Sequence, residues 1–294
     1  MIKIIALITK KCTDFLSKFI SIHLLLWFLS NIRYRFRKIY QKKHALSRKL
    51  IVSLTSYPPR FCTLDRTLKT LFSQSLMPDN IILWIYKDDF DKLPKHILDM
   101  QNNVFFVKQC NDDLRSFKKI VPALQYYSDE FIVTADDDLY YNYDWLEELV
   151  GYYSPNQKEI IGHRGHKITF DASGSVRPYN NWKWCVGGLV SGHDIFLTGC
   201  AGILYPPGSL ISETVKSEIF MELCPTADDV WLYFMTRLNG YIPKKIPSDF
   251  REFSWPSSQE VTLNSENVIR GSNDICISNL ERKYGTMKYL VAAG

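Results

Sequence analysis

The sequence predicts an α/β fold with a mainly parallel sheet flanked by helices, and three observations carry that expectation. Between residues 50 and 150, short apolar runs of strand length alternate with stretches of helical periodicity. One run, Phe131-Ile132-Val133-Thr134-Ala135, stops at Asp136-Asp137-Asp138, as a buried strand does when it delivers polar side chains to the edge of an open sheet. The chain has 294 residues, 46% of them hydrophobic and 14% aromatic, which is enough to bury a full core as one large domain or two small ones. No internal repeat is present.

Each element follows from local chemistry. Residues 50–54 (LIVSL) form a short apolar strand, stopped by Thr55-Ser56-Tyr57-Pro58-Pro59, because two prolines continue neither a helix nor a central strand. Leu64, Leu68, Leu71 and Phe72 then recur at helical spacing. Pro78-Asp79-Asn80 makes a turn into a second strand, 81–86 (IILWIY), which ends at Lys87-Asp88-Asp89. A third strand over 104–107 precedes Asp112-Asp113. A helix is expected over 114–127, with Pro122 as a kink or a first-turn residue, and a short one over 143–150 after the acidic triplet. Such alternation predicts parallel strands covered on both faces. From about Gly151 the pattern loosens, and a smaller mixed or antiparallel region is expected there.

The net charge of +5 conceals an asymmetry. Residues 1–49 hold twelve Lys or Arg and one acid, Asp14, a local net of +11. The remaining 24 bases face 30 acids, a net of −6, which argues against a catalytic surface for nucleic acid. Residues 19–30 (FISIHLLLWFLS) are apolar, but a membrane span needs roughly 20 such residues, so a crossing would have to stretch over 15–32. No small-residue cleavage site follows, which argues against a secretory signal. Arg33, Arg35, Arg37, Lys38, Lys42, Lys43, Arg48 and Lys49 come next, and an apolar anchor with a polybasic stretch suits an anionic cytoplasmic leaflet. The competing reading is an amphipathic helix packed on the body. The seven cysteines contain no Cys-x-x-Cys pair, which argues against zinc and disulfide frameworks and for a reducing compartment. The chain thus divides into a basic arm, 1–49, and a body, 50–294, with halves at 50–150 and 151–294.

The motifs leave alternatives open when taken singly. Asp136 and Asp138, spaced i and i+2 after a strand, can reach one hard divalent cation, and a solvated acidic turn has the same residues. Asp228-Asp229 opens an amphipathic stretch over 230–238, closed by Asn239-Gly240. Capping that helix accounts for one carboxylate and is favoured on sequence alone, whereas a general base would account for the other. Thr198-Gly199-Cys200-Ala201-Gly202, ahead of Tyr205-Pro206-Pro207-Gly208, is either a backbone that a ligand approaches closely or a tight turn between strands. Trp182 and Trp184 can stack on a sugar or fill the core. His163, Arg164 and His166 can orient a ligand or form a polar strand end.

Taken in order, Ser-Leu-Thr-Ser-Tyr-Pro-Pro-Arg (53–60), Asp-Leu-Arg-Ser-Phe-Lys-Lys-Ile-Val-Pro-Ala-Leu (113–124), Thr-Ala-Asp-Asp-Asp (134–138), His-Arg-Gly-His-Lys-Ile (163–168), the glycine segment with its Pro-Pro-Gly turn (198–208) and Cys-Pro-Thr-Ala-Asp-Asp-Val-Trp (224–231) resemble bacterial GT-A-fold, family 2-like glycosyltransferases of surface-polysaccharide and lipopolysaccharide synthesis. The resemblance runs from about 50 to 290 and leaves the arm outside. It implies an Asp-x-Asp motif, in which Asp138 binds Mn²⁺ or Mg²⁺ and Asp136 lies near the metal or the nucleotide ribose, with Asp137 beside them. It further implies that Thr55, Ser56, Tyr57 and Arg60 hold the base and ribose, aided by Asp88 or Asp89. Lys119 would lie against the diphosphate, Gly199 and Gly202 would line the donor sugar, and Asp229 would be the base with Asp228 its neighbour. His163, Arg164, His166, Trp182 and Trp184 would face the acceptor. The last histidine is His193, so none near the C-terminus offers itself as a third metal ligand.

The implied activity is metal-dependent, inverting transfer from a nucleotide-diphosphate sugar, UDP-sugars first among them, to a lipid-linked, lipopolysaccharide or capsule glycan. It would take place at the cytoplasmic face of a bacterial inner membrane. Two other readings stand beside it. One is a metal-dependent nucleotidyl or phosphoryl transferase, which would more often carry a Gly-rich loop with Lys-Ser/Thr, absent from this sequence. The other is a non-catalytic, membrane-associated sugar-binding protein.

Overall fold

The structure, a computed structural model, describes residues 22–248, 250–256, 258 and 271–290. The part of the expected anchor before Ile22 lies outside the described residues.

The chain is α/β, with a large, mainly parallel sheet flanked by helices. Strands β1 (Leu50–Thr55), β2 (Asn80–Tyr86), β3 (Phe105–Cys110) and β4 (Phe131–Thr134) are mutually parallel in the order β3-β2-β1-β4. The second half does not build a separate sheet. Instead β5 (Glu159–Gly162), β6 (Val190–Ser191), β7 (Ile203–Tyr205) and β8 (Ile242–Lys245) extend the first, giving the order β3-β2-β1-β4-β7-β5-β8-β6. The expected antiparallel character enters at β7, which runs against both β4 and β5. A small antiparallel pair, Gly165–Lys167 with Ile195–Leu197, stands apart from this sheet.

The strands read as apolar runs because both faces are covered. Alternation assigns each residue to a face: Leu50, Val52 and Leu54 join one buried cluster, and Ile51 joins the other. Helix α1 (Ile22–Phe36) precedes the sheet, and α2 (Phe61–Phe72) buries Leu64, Leu68, Leu71 and Phe72 on the first face, as its spacing predicts. The helix expected over 114–127 is two pieces, a 3₁₀ turn Arg115–Lys119 and α3 (Val121–Tyr126). Pro122 sits in the first turn of α3, where its missing N–H has no intrahelical partner to lose, so it begins a helix and does not kink one. Helix α4 (Trp145–Gly151) follows the acidic loop, and α5 (Ser217–Leu223), α6 (Asp228–Leu238) and α7 (Ser272–Tyr284) cover the second face.

The sequence break at 49/50 is not a break in contacts. Tyr34 packs on Phe72, with ring centroids 5.6 Å apart, and Gln41 donates to the carbonyls of Phe72 and Gln74. Lys42–Lys43 pairs in parallel with Leu76–Met77.

Candidate active site

Strand β4 ends at Thr134, and the three carboxylates after it go to two cations. Asp136 accepts from Lys119 Nζ at 2.9 Å, while its backbone N–H donates to the Tyr141 hydroxyl. Asp137 and Asp138 turn the other way, lying 2.7 and 3.2 Å from Arg60 Nη1. Arg60 closes the 3₁₀ turn that Pro58 and Pro59 start, and its guanidinium lies over the Tyr57 ring. Burial pushes the Asp137 carboxyl up and Arg60 pulls it back, leaving it raised. Two residues expected at the nucleotide, Arg60 and Asp137, are therefore bound to each other.

Lys119 is the junction of the site. Its carbonyl accepts from Ser53 Oγ at 2.6 Å, and that hydroxyl in turn accepts from Trp84 Nε1, so β1 and β2 fix where the lysine leaves the backbone. The buried ammonium spans Asp136, from the first half of the chain, and Asp228, 3.1 Å away, from the second. Burial opposes its charge, but Asp136, Asp228 and Asp229 outweigh burial and hold it protonated.

Asp228 and Asp229 stand in the first turn of α6, yet neither is its N-cap, which is Ala227 and makes no side-chain cap bond. The capping reading is overturned because both carboxylates have partners across the cleft. Asp229 Oδ2 accepts the Gly199 N–H at 3.0 Å, and Oδ1 has no hydrogen-bond partner among the described residues. Burial, with Asp228 beside it, raises the Asp229 carboxyl to about 7. A Cβ at residue 199 would stand 2.6 Å from Asp229 Oδ1, so only glycine lets the backbone come this close. Gly202 serves packing. At φ +88° it lies against the Trp145 indole, whose Nε1 donates to the Ala201 carbonyl. The cleft wall here is made by Thr198 and Cys200, on either side of Gly199.

These groups share one cavity of about 820 Å³. It is lined by Thr55, Ser56, Tyr57, Arg60 and Asp89; Asp88 is turned away, accepting from the Tyr86 hydroxyl. Also lining the cavity are Asp113, Arg115, Ser116 and Lys118, to which the sequence alone assigns no role. Their signal was the acidic pair after the third strand. From the second half of the chain, Arg164, His166, Tyr179 and Trp184 line it as well. His166 Nδ1 accepts the Cys185 N–H at 3.0 Å, so its proton is on Nε2, and its ring lies 4.7 Å from that of Trp184. Burial lowers the pKa of both His163 and His166 to about 4, so both are neutral near pH 7. His163 and Trp182 do not line the cavity. The histidine is bonded to the Trp145 carbonyl and Ser248 Oγ, and the tryptophan donates to the Arg177 carbonyl from the core. Glu252, 3.3 Å from Arg164, and Asn273 complete the wall, and no local pattern announced either.

Among the described residues no cluster of three or more His, Cys, Asp or Glu side chains could hold a metal by itself. The donor chemistry nevertheless fits a hard cation. Asp136, Asp137, Asp138, Asp228 and Asp229 surround two cations, Lys119 and Arg60, an excess of carboxyl groups of the kind that binds Mg²⁺ or Mn²⁺ when substrate phosphates complete the shell. The expected pair is split in this structure, with Asp136 on Lys119 and Asp138 on Arg60.

No curated protein matches this chain. Among solved structures, similarity extends to HddC from Yersinia pseudotuberculosis (16% identity over 55% of this chain and 78% of that one, TM-score 0.36). It extends also to the inositol-1-phosphate CTP transferase from T. maritima (10% identity, 78% of this chain and 97% of that one, TM-score 0.44). GalNAc-T7, solved with UDP, GalNAc and Mn²⁺, shares 10% identity over 82% of this chain and 51% of its own, with a TM-score of 0.44. Residues 59–188, which carry Arg60, Lys119 and the acidic triplet but stop short of Gly199 and Asp229, match the family model described as Glycosyl transferase family 2.

Proposed function

We propose that this protein is a glycosyltransferase that moves a sugar from a nucleotide-diphosphate donor to a glycan hydroxyl, with a divalent metal and inversion at the anomeric carbon. The observation that carries the reading is the Lys119 junction. One ammonium draws acids from both halves of the chain into a single cavity, and leaves Asp229 Oδ1 unpartnered beside it.

In this reading the nucleotide lies along Thr55, Ser56, Tyr57 and Asp89, near Lys118. The diphosphate lies at Asp136 and Asp138. When bound there, Mn²⁺ or Mg²⁺ would neutralise charge growing on the diphosphate leaving group. The donor sugar rests under the Thr198–Cys200 turn, and the acceptor approaches past His166, Tyr179 and Trp184. The acceptor hydroxyl gives its proton to Asp229 Oδ1 as its oxygen bonds to the anomeric carbon, and the bond from that carbon to the diphosphate oxygen breaks on the opposite face. A carboxyl at about 7 suits a base working near neutral pH, since it is half ionised there yet basic enough to accept. Lys119 supports this by bridging Asp136 and Asp228 next to it. The basic, apolar arm supports a lipid-linked, lipopolysaccharide or capsule acceptor and a peripheral seat on the cytoplasmic face of a bacterial inner membrane.

The test is a panel of UDP-, GDP- and CMP-sugars, assayed for binding and slow hydrolysis with Mn²⁺ and with chelator. Binding of one donor, lost with chelator and in Asp138→Ala, supports the reading. No binding by any donor, with or without metal, points to the non-catalytic alternative.

A further inference from the structure

Helix α1 has two apolar faces, and the fold uses one. Inward, Leu26 and Ser30 are buried, Arg33 Nη1 donates to the Tyr140 hydroxyl at 2.8 Å, and the Arg37 guanidinium lies over the Tyr34 ring, which packs on Phe72 of α2. Outward, Leu24 (53% exposed), Phe28 (56%), Ile32 (41%) and Phe36 (50%) follow one another at every fourth residue, and Ile39 (81%) continues the ridge. A contiguous apolar ridge of this kind on a protein surface marks a contact.

We propose that this ridge lies in the plane of an anionic bilayer, with its side chains in the headgroup and acyl boundary, and that α1 thereby fixes the cleft relative to the membrane. The inference rests on the peripheral seat proposed above and assigns it residues. Packing decides how the described helix meets a bilayer. Leu26, Arg33 and Tyr34 hold one side of it against the body, so only the opposite side is open to lipid, and no helix among the described residues is long and apolar enough to cross a membrane. Charge decides the partner. Residues 22–49 contain no acid, and Arg35 and Lys38, which flank Phe36 of the ridge in sequence, are exposed, as are Lys43, Arg48 and Lys49 further along the arm. A second copy seated ridge to ridge would set these cations against their equals, whereas anionic lipid complements them.

The inward face explains why such docking would orient the cleft and not merely tether it. Leu26, Tyr140 and Trp255 form one buried cluster, with Phe253 packed against it. The Tyr140 N–H donates to the Phe253 carbonyl at 2.9 Å, and the Trp255 N–H donates to the Asp138 carbonyl at 3.0 Å. Helix α1 therefore rests on the loop that carries the acidic triplet, with no linker between.

The experiment uses the full chain and sedimentation with vesicles of phosphatidylcholine, with and without phosphatidylglycerol. Wild type is expected to bind the anionic vesicles. A ridge variant, Leu24→Ser with Phe28→Ser and Ile32→Ser, is expected to lose at least about tenfold in partitioning, with its melting temperature and any vesicle-free nucleotide-sugar hydrolysis unchanged. Arg35→Glu with Lys38→Glu is expected to remove the preference for phosphatidylglycerol. Vesicle binding by the ridge variant equal to wild type overturns the proposal, as does equal binding to both vesicle types. A wild type that forms dimers abolished by the ridge variant, without binding vesicles, also overturns it and makes the ridge an interface between copies. Loss of binding in the ridge variant supports the inference even where no nucleotide sugar is turned over, so its failure and that of the transferase reading are separable.

Discussion

Replacing Lys119 by Met keeps the length of the side chain and removes the charge that balances three neighbouring acids, Asp136, Asp228 and Asp229. At 2.9 and 3.1 Å from Asp136 and Asp228, each contact is worth about 5 kcal/mol of gross attraction at an effective dielectric near 20, against several kcal/mol for desolvating the ammonium. Truncating one partner of such a buried pair costs roughly 3–5 kcal/mol, because the carboxylates are left behind. The cost also has a pH signature. The Asp229 carboxyl is raised, by burial and then Asp228, from an ordinary 3.8 to about 7 with Lys119 in place. A group shifted upward on folding contributes stability that is full below its unfolded value and lost as pH rises through its folded one. Without Lys119 the folded value climbs further, so ionising Asp229 becomes costlier and the penalty of the variant grows towards alkaline pH. Urea unfolding followed by tryptophan fluorescence at about pH 5.5 and about pH 8 measures both features. A loss under about 1 kcal/mol, or one equal at the two pH values, would refute the junction as described.

Three further outcomes follow from the same geometry. Asp228→Asn removes the second cause of the raised Asp229 carboxyl, so the acid limb of the pH–rate profile should move to lower pH; an unmoved limb contradicts the coupling. Gly202→Ala forces a Cβ to within 2.4 Å of Trp145 at a φ of +88° and should cost about 3 kcal/mol or more in unfolding free energy, whereas a neutral effect would mean that the turn is not held as described. Asp138→Ala should weaken Mn²⁺-supported donor binding by at least about tenfold in a calorimetric titration, and unchanged affinity would remove Asp138 from the metal.

The first half of the fold is legible in the sequence because its strands are continuous apolar runs and its main helix shows a clean stripe at Leu64, Leu68 and Leu71. The boundary at Pro122 was harder to read, since one residue can kink a helix or begin one, and only the backbone decides. The second half hid its strand order, because a three-residue strand such as Ile203–Tyr205 carries no periodicity. The acids of the site stood out as clusters, but their partners did not. Local sequence favoured a cap for Asp228 and Asp229, whereas distant groups, Lys119 and the Gly199 amide, claimed them. Gly199 and Gly202 look equivalent in sequence and do different work: one admits a carboxylate, the other an indole. His163 and His166 are three residues apart with opposite fates, one bonded in the core and one on the cavity wall. The arm from Ile22 onward looked separable by charge, and its inward face, at Leu26, Ser30 and Tyr34, is what joins it to the body.

The most direct measurement of the central claim is donor affinity and transfer to a glycan acceptor in wild type and Asp229→Asn, made side by side. If Asp229 is the base, the variant keeps donor affinity within about threefold, while transfer falls by at least about a hundredfold. Transfer undiminished in Asp229→Asn, with the donor still bound, would contradict the account and move the proton acceptor elsewhere in the cleft.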